Sequence, residues 1–146
     1  MAKAFSIEDG NLSNVPITSS VSRTYKDIDL TLALKTTGDV YKKIDAAAVK
    51  QSIKNILMTN RTEKPFEPFY GGNLNDFLFN LSETFSDFEI QEQVTLAINN
   101  YEPRARVLNV RSKLNPDRNS ISVAVTFKVI TTGQTETTVL SLTRVR

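Results

Sequence analysis

Every second residue between positions 121 and 129 is apolar, and this is the most regular pattern in the chain. The apolar residues are Ile121, Val123, Val125, Phe127 and Val129. Because successive side chains of a β-strand point to opposite faces of a sheet, the alternation predicts a strand over 121–130 with one buried face. Gly133 lies in a turn-forming stretch at 131–134, and residues 136–145 are again strand-like, so we predict an antiparallel hairpin.

Upstream, apolar residues recur at helical spacing in two longer segments. The first stripe consists of Ala46, Val49, Ile53, Ile56 and Leu57, and the second of Ile90, Val94, Ala97, Ile98 and Tyr101. This spacing predicts two amphipathic helices that each bury one face. We expect the Asp45 carboxylate to cap the first helix and a capping box of Ser86 and Glu89 to open the second. Glu102-Pro103 should end the second helix, because a residue before proline disfavours the α region.

Three weaker patterns complete the outline. Residues 25–32 alternate and predict a short strand, which a turn at 36–40 follows. Asn73 is placed to cap a short helix, whose expected buried residues are Leu74, Phe77, Leu78 and Leu81. Residues 106–113 predict a strand with Leu108 and Val110 on its apolar face.

The order of these elements indicates the fold class. Helices followed by hairpin strands are typical of α+β proteins, so we predict an antiparallel sheet with two main helices packed on one face. Residues 1–24 are rich in Ser, Thr and Asn and lack a hydrophobic pattern, which predicts an extended N-terminal arm without a core of its own. Residues 25–146 contain no long linker, so we expect a single domain there.

The composition excludes several kinds of site. The 146 residues include no Cys and no His, which leaves no thiolate, imidazole base or histidine metal ligand. We therefore expect no catalytic, metal-binding or cofactor-binding residues. The net charge of +2 is too small to indicate nucleic acid binding. No apolar run reaches the roughly 18 residues of a membrane-spanning helix. The N-terminus lacks a signal-peptide pattern, so we expect folding in a cytoplasm.

Three local features admit a functional explanation. The 16 acidic residues offer carboxylate pairs of the kind that glycosidases use, but any chain with this many acids does so. Gly71-Gly72 lacks the lysine of a P-loop and is better explained as a turn that requires positive φ. The basic residues of 102–118 suit nucleic acid or an acidic protein surface, and the lack of interleaved aromatics favours the protein surface. They are Arg104, Arg106, Arg111, Lys113 and Arg118.

Glu102, Pro103 and Arg104 form the most specific candidate. Arginine can donate a fork of two hydrogen bonds to a carboxylate, and its charge suits the C-terminal end of a helix. The same three residues are equally well explained as a helix stop with a local ion pair. Physical reasoning on the sequence leaves these two interpretations even.

Seven short motifs in order carry a family resemblance. They are Tyr25-Lys-Asp-Ile-Asp-Leu30, Val49-Lys-Gln-Ser-Ile-Lys-Asn-Ile-Leu57, Thr59-Asn-Arg61, Lys64-Pro-Phe-Glu-Pro68, Gly71-Gly72-Asn73-Leu74, Leu78-Phe79 and Asn100-Tyr-Glu-Pro-Arg104. At these spacings they resemble the sheath initiators, which are baseplate wedge proteins of contractile-tailed phages. Some members carry a lysozyme label, and related subunits occur in type VI secretion baseplates. Phe69-Tyr70 departs from the family pattern, in which an acidic residue stands nearer the glycines.

The resemblance implies a structural role without catalysis or cofactor. Such a subunit lies in the inner ring of a virion tail baseplate, is assembled in the host cytoplasm, and anchors the first sheath ring by β-strand addition. Its expected partners are other wedge proteins, the tail sheath protein, and tail tube or hub proteins, with no nucleic acid and no membrane. The expected protein-binding residues are Glu102, Pro103, Arg104, Arg61, Pro65, Phe66 and Pro68.

The resemblance leaves two alternatives open. One is a peptidoglycan-cleaving, lysozyme-like hydrolase, and the other is the equivalent subunit of a secretion or injection machine. For the structural role, we expect Arg104→Ala to leave the isolated fold nearly intact and to weaken assembly, because Arg104 lies beyond the apolar stripe of its helix.

Overall fold

The computed structural model describes residues 24–79 and 87–144 of the chain. In chain order the elements are β1 (Lys26–Ile28), β2 (Lys42–Ile44), α1 (Ala46–Met58), α2 (Leu74–Phe79), α3 (Asp87–Tyr101), β3 (Ala105–Asn115), β4 (Ser120–Val129) and β5 (Thr135–Thr143). A single 3₁₀ turn, Pro116–Arg118, joins β3 to β4. No helix in the described ranges is long and apolar enough to span a membrane.

The main sheet has the antiparallel order β3-β4-β5. β4 lies in the centre and buries the five alternating apolar residues that the sequence pattern selects. β5 pairs with β4 in an unbroken register from Ser120↔Thr143 to Lys128↔Thr135. The predicted hairpin and the α+β class are therefore confirmed, and β3 adds a long third strand to the hairpin.

Both main helices pack on one face of this sheet. α3 lies against β3, and α1 lies against α3 and β5. The apolar stripes of the two helices join the inward residues of the strands in one core, although Ala46 and Tyr101 are only partly buried. α1 ends at Met58 and α3 at Tyr101, directly before Glu102-Pro103. The short helix α2 buries Leu74 and Leu78.

Asp45 precedes α1 but does not cap it through its side chain, so this prediction is wrong. Its backbone has a positive φ of 46°, and its Oδ1 accepts a hydrogen bond from the Tyr25 amide at 2.9 Å. The Asp45 amide in turn donates to the Tyr25 carbonyl oxygen. Asp45 therefore joins the start of the β1 segment to the start of α1. The predicted capping residue Ser86 and core residue Leu81 lie outside the described residues.

β3 contains a β-bulge between Val107 and Asn109. The extra residue breaks the alternation of faces, so Leu108 is 52 % exposed while Val110 is buried. The prediction that Leu108 and Val110 share the apolar face is therefore wrong. The alternation resumes after the extra residue. Val107 before the bulge, and Val110, Ser112 and Leu114 after it, all face the helices.

A small two-stranded sheet, β1-β2, precedes the helices. The predicted turn is present, with Gly38 at φ 81°. The predicted strand at 25–32 is confirmed only for Lys26–Ile28, and β2 has no counterpart in the sequence prediction. The apolar residues of this region, Ile28, Leu30, Leu32 and Leu34, are all more than half exposed. Of the predicted N-terminal arm, residues 1–23 lie outside the described residues.

Candidate protein-binding site

The chain makes a tight turn where α3 passes into β3. The Glu102 amide donates to Ile98, which closes the last turn of α3, and the Ala105 amide donates back to the Glu102 carbonyl oxygen. The Arg104 carbonyl oxygen accepts from the Ile130 amide at 3.0 Å. Pro103 lies exposed at the tip. The turn is thus held by the helix on one side and by the end of β4 on the other.

Arg104 and Glu102 form the predicted fork inside this turn. Arg104 Nε donates to Glu102 Oε1 at 2.6 Å, and Nη2 donates to Oε2 at 2.9 Å. Glu102 is 2 % exposed, whereas Arg104 is half-buried. A buried carboxylate requires a partner, since an unpaired charge inside a protein costs several kcal/mol (about 3–5 when one partner of a pair is removed). Arg104 supplies that partner.

The same guanidinium also reaches the small sheet. Arg104 Nη1 donates to Asp27 Oδ2 at 3.2 Å, and its Cζ lies 5.4 Å from the centre of the Tyr25 ring. Both residues belong to the segment that forms β1. Arg104 therefore connects the end of α3 to the β1 segment, a contact across 77 positions of sequence.

The environment keeps Glu102 ionised. Burial by itself would raise the pKa of Glu102, but hydrogen bonds from Arg104 and from the Ser52 side chain, with the guanidinium charge, hold the pKa below its ordinary value of 4.5. Hydrogen bonds to Glu102 likewise raise the pKa of the Arg104 guanidinium. The pair is consequently charged at any pH near neutrality. The hydrogen bond between Ser52 and Glu102 thus joins α1 to the end of α3.

The second half of the candidate site is the loop of residues 60–70, which has a defined conformation. The Asn60 amide and side chain both donate to the Glu63 carboxylate, at 2.8 and 2.7 Å. The Thr62 amide donates to the Pro68 carbonyl oxygen at 2.9 Å, and Lys64 Nζ lies 2.6 Å from Glu67 Oε2. These contacts are all local, so the loop holds its own shape.

Two tyrosines connect the loop to α3. The Tyr101 hydroxyl donates to the Phe69 carbonyl oxygen at 2.7 Å, and the Tyr101 and Tyr70 rings pack with centres 4.9 Å apart. Lys64 Nζ lies 4.1 Å from the centre of the Tyr70 ring on its face, a favourable cation–π distance. Tyr101 immediately precedes Glu102, so the loop and the turn form neighbouring parts of one surface.

Gly71 returns the loop to α1. Its φ is 114°, and a Cβ atom at this position would lie 2.2 Å from the Thr59 carbonyl oxygen. The prediction of a turn with positive φ is therefore confirmed for Gly71 but not for Gly72, whose φ is not positive. Glycine is required at position 71 for two reasons: the backbone is left-handed, and it approaches the end of α1 too closely for a side chain.

The seven predicted binding residues divide into an inward and an outward set. The inward set is Glu102, which is buried, and Arg104, which donates hydrogen bonds to Glu102 and Asp27. Pro103 is exposed. Arg61, Pro65, Phe66 and Pro68 are exposed. Phe66 is 102 % exposed and has a positive φ of 67°, which is strained for a bulky side chain. The sequence analysis did not single out Asp27, Ser52 or Tyr101 as site residues, although each lies within a quoted family motif.

A groove of about 750 Å³ runs between α1 and β5. Its helical wall includes Lys50, Lys54 and Met58, and its sheet wall is formed by residues 137–139. Within the described ranges, no three His, Cys, Asp or Glu residues are grouped so as to hold a metal ion.

The chain is similar to known proteins in both sequence and fold. The profile of the family described as baseplate wedge protein gp25 matches residues 44–134, which include both the loop and the turn. Baseplate wedge protein gp25 of Enterobacteria phage T4 is 28 % identical over 112 residues, covering 77 % of this chain and 85 % of the T4 protein.

Two solved structures share the fold. One is the crystal structure of a protein from Geobacter sulfurreducens designated a tail lysozyme, with a TM-score of 0.58, 23 % identity, and coverage of 67 % of this chain and 89 % of that one. The other is a cryo-EM structure of the anti-feeding prophage baseplate, with a TM-score of 0.55, 19 % identity, and coverage of 81 % and 84 %. At these identities the likeness concerns the fold alone.

Proposed function

The chain belongs to the baseplate wedge protein gp25 family, and from that premise we propose that it initiates the tail sheath by accepting sheath strands along the open edge of β5. Its general role is that of a structural component of a contractile phage tail baseplate, with other baseplate proteins as partners. The observation that carries the finer proposal is the contrast between the two edges of the main sheet.

The main sheet has two strands that can receive a further strand. β4 is paired on both sides, so β3 and β5 are the edges of the sheet within the described residues. Proteins normally protect such edges with bulges, prolines or inward-pointing charges, and lysine is especially common there. β3 has a bulge and carries Arg106, Arg111 and Lys113. β5 reads TETTVLSLT and has no bulge, no proline and no basic residue, and its one charged residue is the half-buried Glu136 near its start. β5 is therefore the less protected edge of the main sheet.

The hydrogen bonds at the two ends of β5 identify the amides that face outward. The Arg144 amide donates to Asn119, and the Val129 amide donates to Gln134. In an unbroken antiparallel ladder, alternate residues bond to the same neighbour, so the even-numbered residues of β5 bond to β4. The amides of Thr137, Val139 and Ser141 then point to the open edge, where an added strand would accept from them.

The groove beside this edge provides space for an added strand. An extended segment of five residues is about 17 Å long, and residues 137–139 of β5 form one wall of the groove. Lys50 and Lys54 of α1 line the opposite wall. A strand in this groove would bond to β5 and contact α1 with its side chains.

The exposed loop supports anchoring to the wedge. Phe66 is fully exposed on a strained backbone, in the same loop as the exposed Arg61, Pro65 and Pro68. Exposed aromatic rings are frequent binding anchors. We propose that these four residues, with Pro103 and the exposed part of Arg104, contact neighbouring wedge proteins. Glu102 contributes by positioning Arg104. Further partners under this proposal are the tail sheath protein and tail tube or hub proteins, and assembly takes place in the host cytoplasm.

Residues 25–146 act as one domain under this proposal. The small sheet is tied to α3 by Arg104 and Asp27, and to α1 by the Gln51 side chain, whose Nε2 donates to Ile28 and whose Oε1 accepts from Leu30. The N-terminal arm predicted for residues 1–24 stays a prediction, because residues 1–23 lie outside the described part of the chain.

A matched pair of substitutions tests strand addition. Thr137→Pro removes one outward amide, whereas Thr137→Ala keeps it, and proline is tolerated at an edge position whose amide faces solvent. We expect both variants to fold and to enter the baseplate. Sheath polymerisation on purified baseplates should fall sharply for Thr137→Pro alone, as counted by electron microscopy. Equal sheath assembly by the two variants would contradict strand addition at β5.

The hydrolase alternative requires a carboxyl whose pKa is raised so that it can act as a general acid. Within 24–79 and 87–144, the acidic residues with shifted pKa values are Asp29, Glu63 and Glu102, and all three are lowered by hydrogen bonds. None of these three carboxyl groups therefore has the raised pKa that a general acid of a hydrolase requires. Loss of turbidity of a peptidoglycan suspension on addition of the purified protein would overturn the non-enzymatic role.

A further inference from the structure

The outer face of the main sheet, turned away from the helices, is basic. It is formed by Arg106, Asn109, Arg111 and Lys113 of β3, by Ser122, Ala124, Thr126 and Lys128 of β4, and by Thr137, Val139 and Ser141 of β5. Its four cationic residues, Arg106, Arg111, Lys113 and Lys128, are all exposed. These residues include no carboxylate, so the face has a single sign of charge.

Two of these cations are directly opposed. Arg106 and Lys128 are register partners on neighbouring strands, and like charges in this position destabilise a sheet. The ion pairs found among the described residues lie elsewhere, between Lys43 and Asp29, Lys64 and Glu67, and Arg104 and its two carboxylates. This arrangement costs stability in the isolated chain and has no counter-charge among residues 24–79 and 87–144, which points to a counter-charge on another molecule.

The shape of the face suits a broad partner. Its central strand presents the small side chains Ser122, Ala124 and Thr126, so the centre is low between the long basic side chains of β3 and the end of β4. Val139 on β5 is 65 % exposed and adds an apolar contact beside Ala124. No aromatic side chain lies on this face to stack on a nucleic acid base.

We propose that this basic outer face binds an acidic surface of a neighbouring baseplate protein, separately from the strand-accepting edge of β5. Complementary charge at such a surface steers association and sets orientation more than it raises affinity. The loop of residues 60–70 and the β5 edge use aromatic contacts and backbone hydrogen bonds, whereas this third surface is electrostatic. Its occupant is a folded protein with clustered Asp and Glu side chains.

Zero-length cross-linking of assembled baseplates that contain this chain tests the proposal directly. A carbodiimide joins a lysine amine only to a carboxylate in direct contact with it. We expect Lys113 and Lys128 to be linked to Asp or Glu of another chain, as identified by mass spectrometry. Lys26 and Lys42 of the small sheet are also exposed and serve as internal controls. Links at the controls with none at Lys113 and Lys128 would overturn the proposal.

A charge reversal separates binding from folding. Lys128→Glu converts the opposed like charges into an ion pair with Arg106, so the isolated variant should melt at or above the temperature of the unaltered protein. Its incorporation into baseplates should nevertheless fall by about tenfold, with a loss of salt dependence. Lys42→Glu is the control variant and should incorporate normally. Unchanged incorporation of Lys128→Glu would contradict the proposal. If Lys128→Glu abolished binding of a single-stranded oligonucleotide while incorporation stayed normal, the face would bind nucleic acid and the proposal would be wrong.

Discussion

The Glu102–Arg104 turn and the 60–70 loop are neighbours joined through Tyr101, but they place opposite chemistry in opposite environments. The turn buries a charged carboxylate and neutralises it with Arg104. The loop exposes an aromatic ring, Phe66, on a backbone held by its own hydrogen bonds. In a folded chain the usual preference is the reverse.

The difference separates two kinds of contribution to binding. A buried ion pair specifies geometry, because each partner is costly without the other. An exposed ring contributes little to the stability of the isolated chain and much to an interface. Under the proposed function, the turn therefore mainly positions the surface, and the loop makes most of the contact. The sequence analysis treated all seven residues alike, as contacts.

The strongest test of this division is Arg104→Ala. Removal of the guanidinium leaves the buried Glu102 carboxylate uncompensated, and we expect a loss of about 3–5 kcal/mol in the free energy of unfolding. This replaces the sequence-based expectation of a nearly intact fold. Urea denaturation of the purified variant provides the measurement. Arg104→Lys should lose less, because it keeps the charge without the fork. A loss below about 1 kcal/mol would place Arg104 with the contact residues.

The next effect concerns the joint between the loop and α1. Gly71→Ala adds a Cβ atom where the Thr59 carbonyl oxygen lies 2.2 Å away, so the loop must shift, at a cost of about 1–3 kcal/mol. Gly38→Ala is the matched control, because its φ is also positive while nothing lies within 4 Å of the added atom. The difference between the two melting temperatures measures the crowding alone. Equal losses would show that the loop is not fixed against α1.

The charge of Glu102 should make the stability of the protein depend on pH. A lowered pKa means that the stabilisation is present above the ordinary value of 4.5 and is lost as the pH falls through the folded-state value. Glu102→Gln removes this proton-linked loss. We expect its stability to be lower than that of the unaltered protein at neutral pH and to vary less below pH 4.5. Parallel stability curves for the two proteins, from thermal melting between neutral and acid pH, would contradict the charged role of Glu102.

The smallest change in stability is expected for Phe66→Gly. Relief of a left-handed backbone is worth about 1–2 kcal/mol for a residue with a side chain, and the greater chain entropy of glycine offsets about 0.5–1 kcal/mol. The variant should thus be at least as stable as the unaltered protein but enter baseplates poorly. Phe88→Ala, an exposed aromatic on α3, is the control for lost surface area. Normal incorporation of Phe66→Gly would remove the loop from the proposed interface.

Local patterns predicted much of the fold. Helical spacing identified α1 and α3, alternation identified β4, and Pro103 located the end of α3, because each of these signals depends on neighbouring residues. Gly71 was also read correctly as a turn residue. The family resemblance, carried by short motifs in order, is confirmed by the profile match over 44–134.

The sequence by itself determined most of the elements, their order and the residues worth testing, although β2 was not predicted. Tertiary structure alone decided which groups meet. The bulge in β3 exposes Leu108, the Asp45 side chain accepts from the Tyr25 amide instead of capping its own helix, and Arg104 reaches Asp27 across the chain. The central place of β4 leaves β5 as the less protected edge of the main sheet and gathers four cations on the outer face. Each of these depends on long-range pairing and register, and the energies that choose among pairings are invisible to a local pattern.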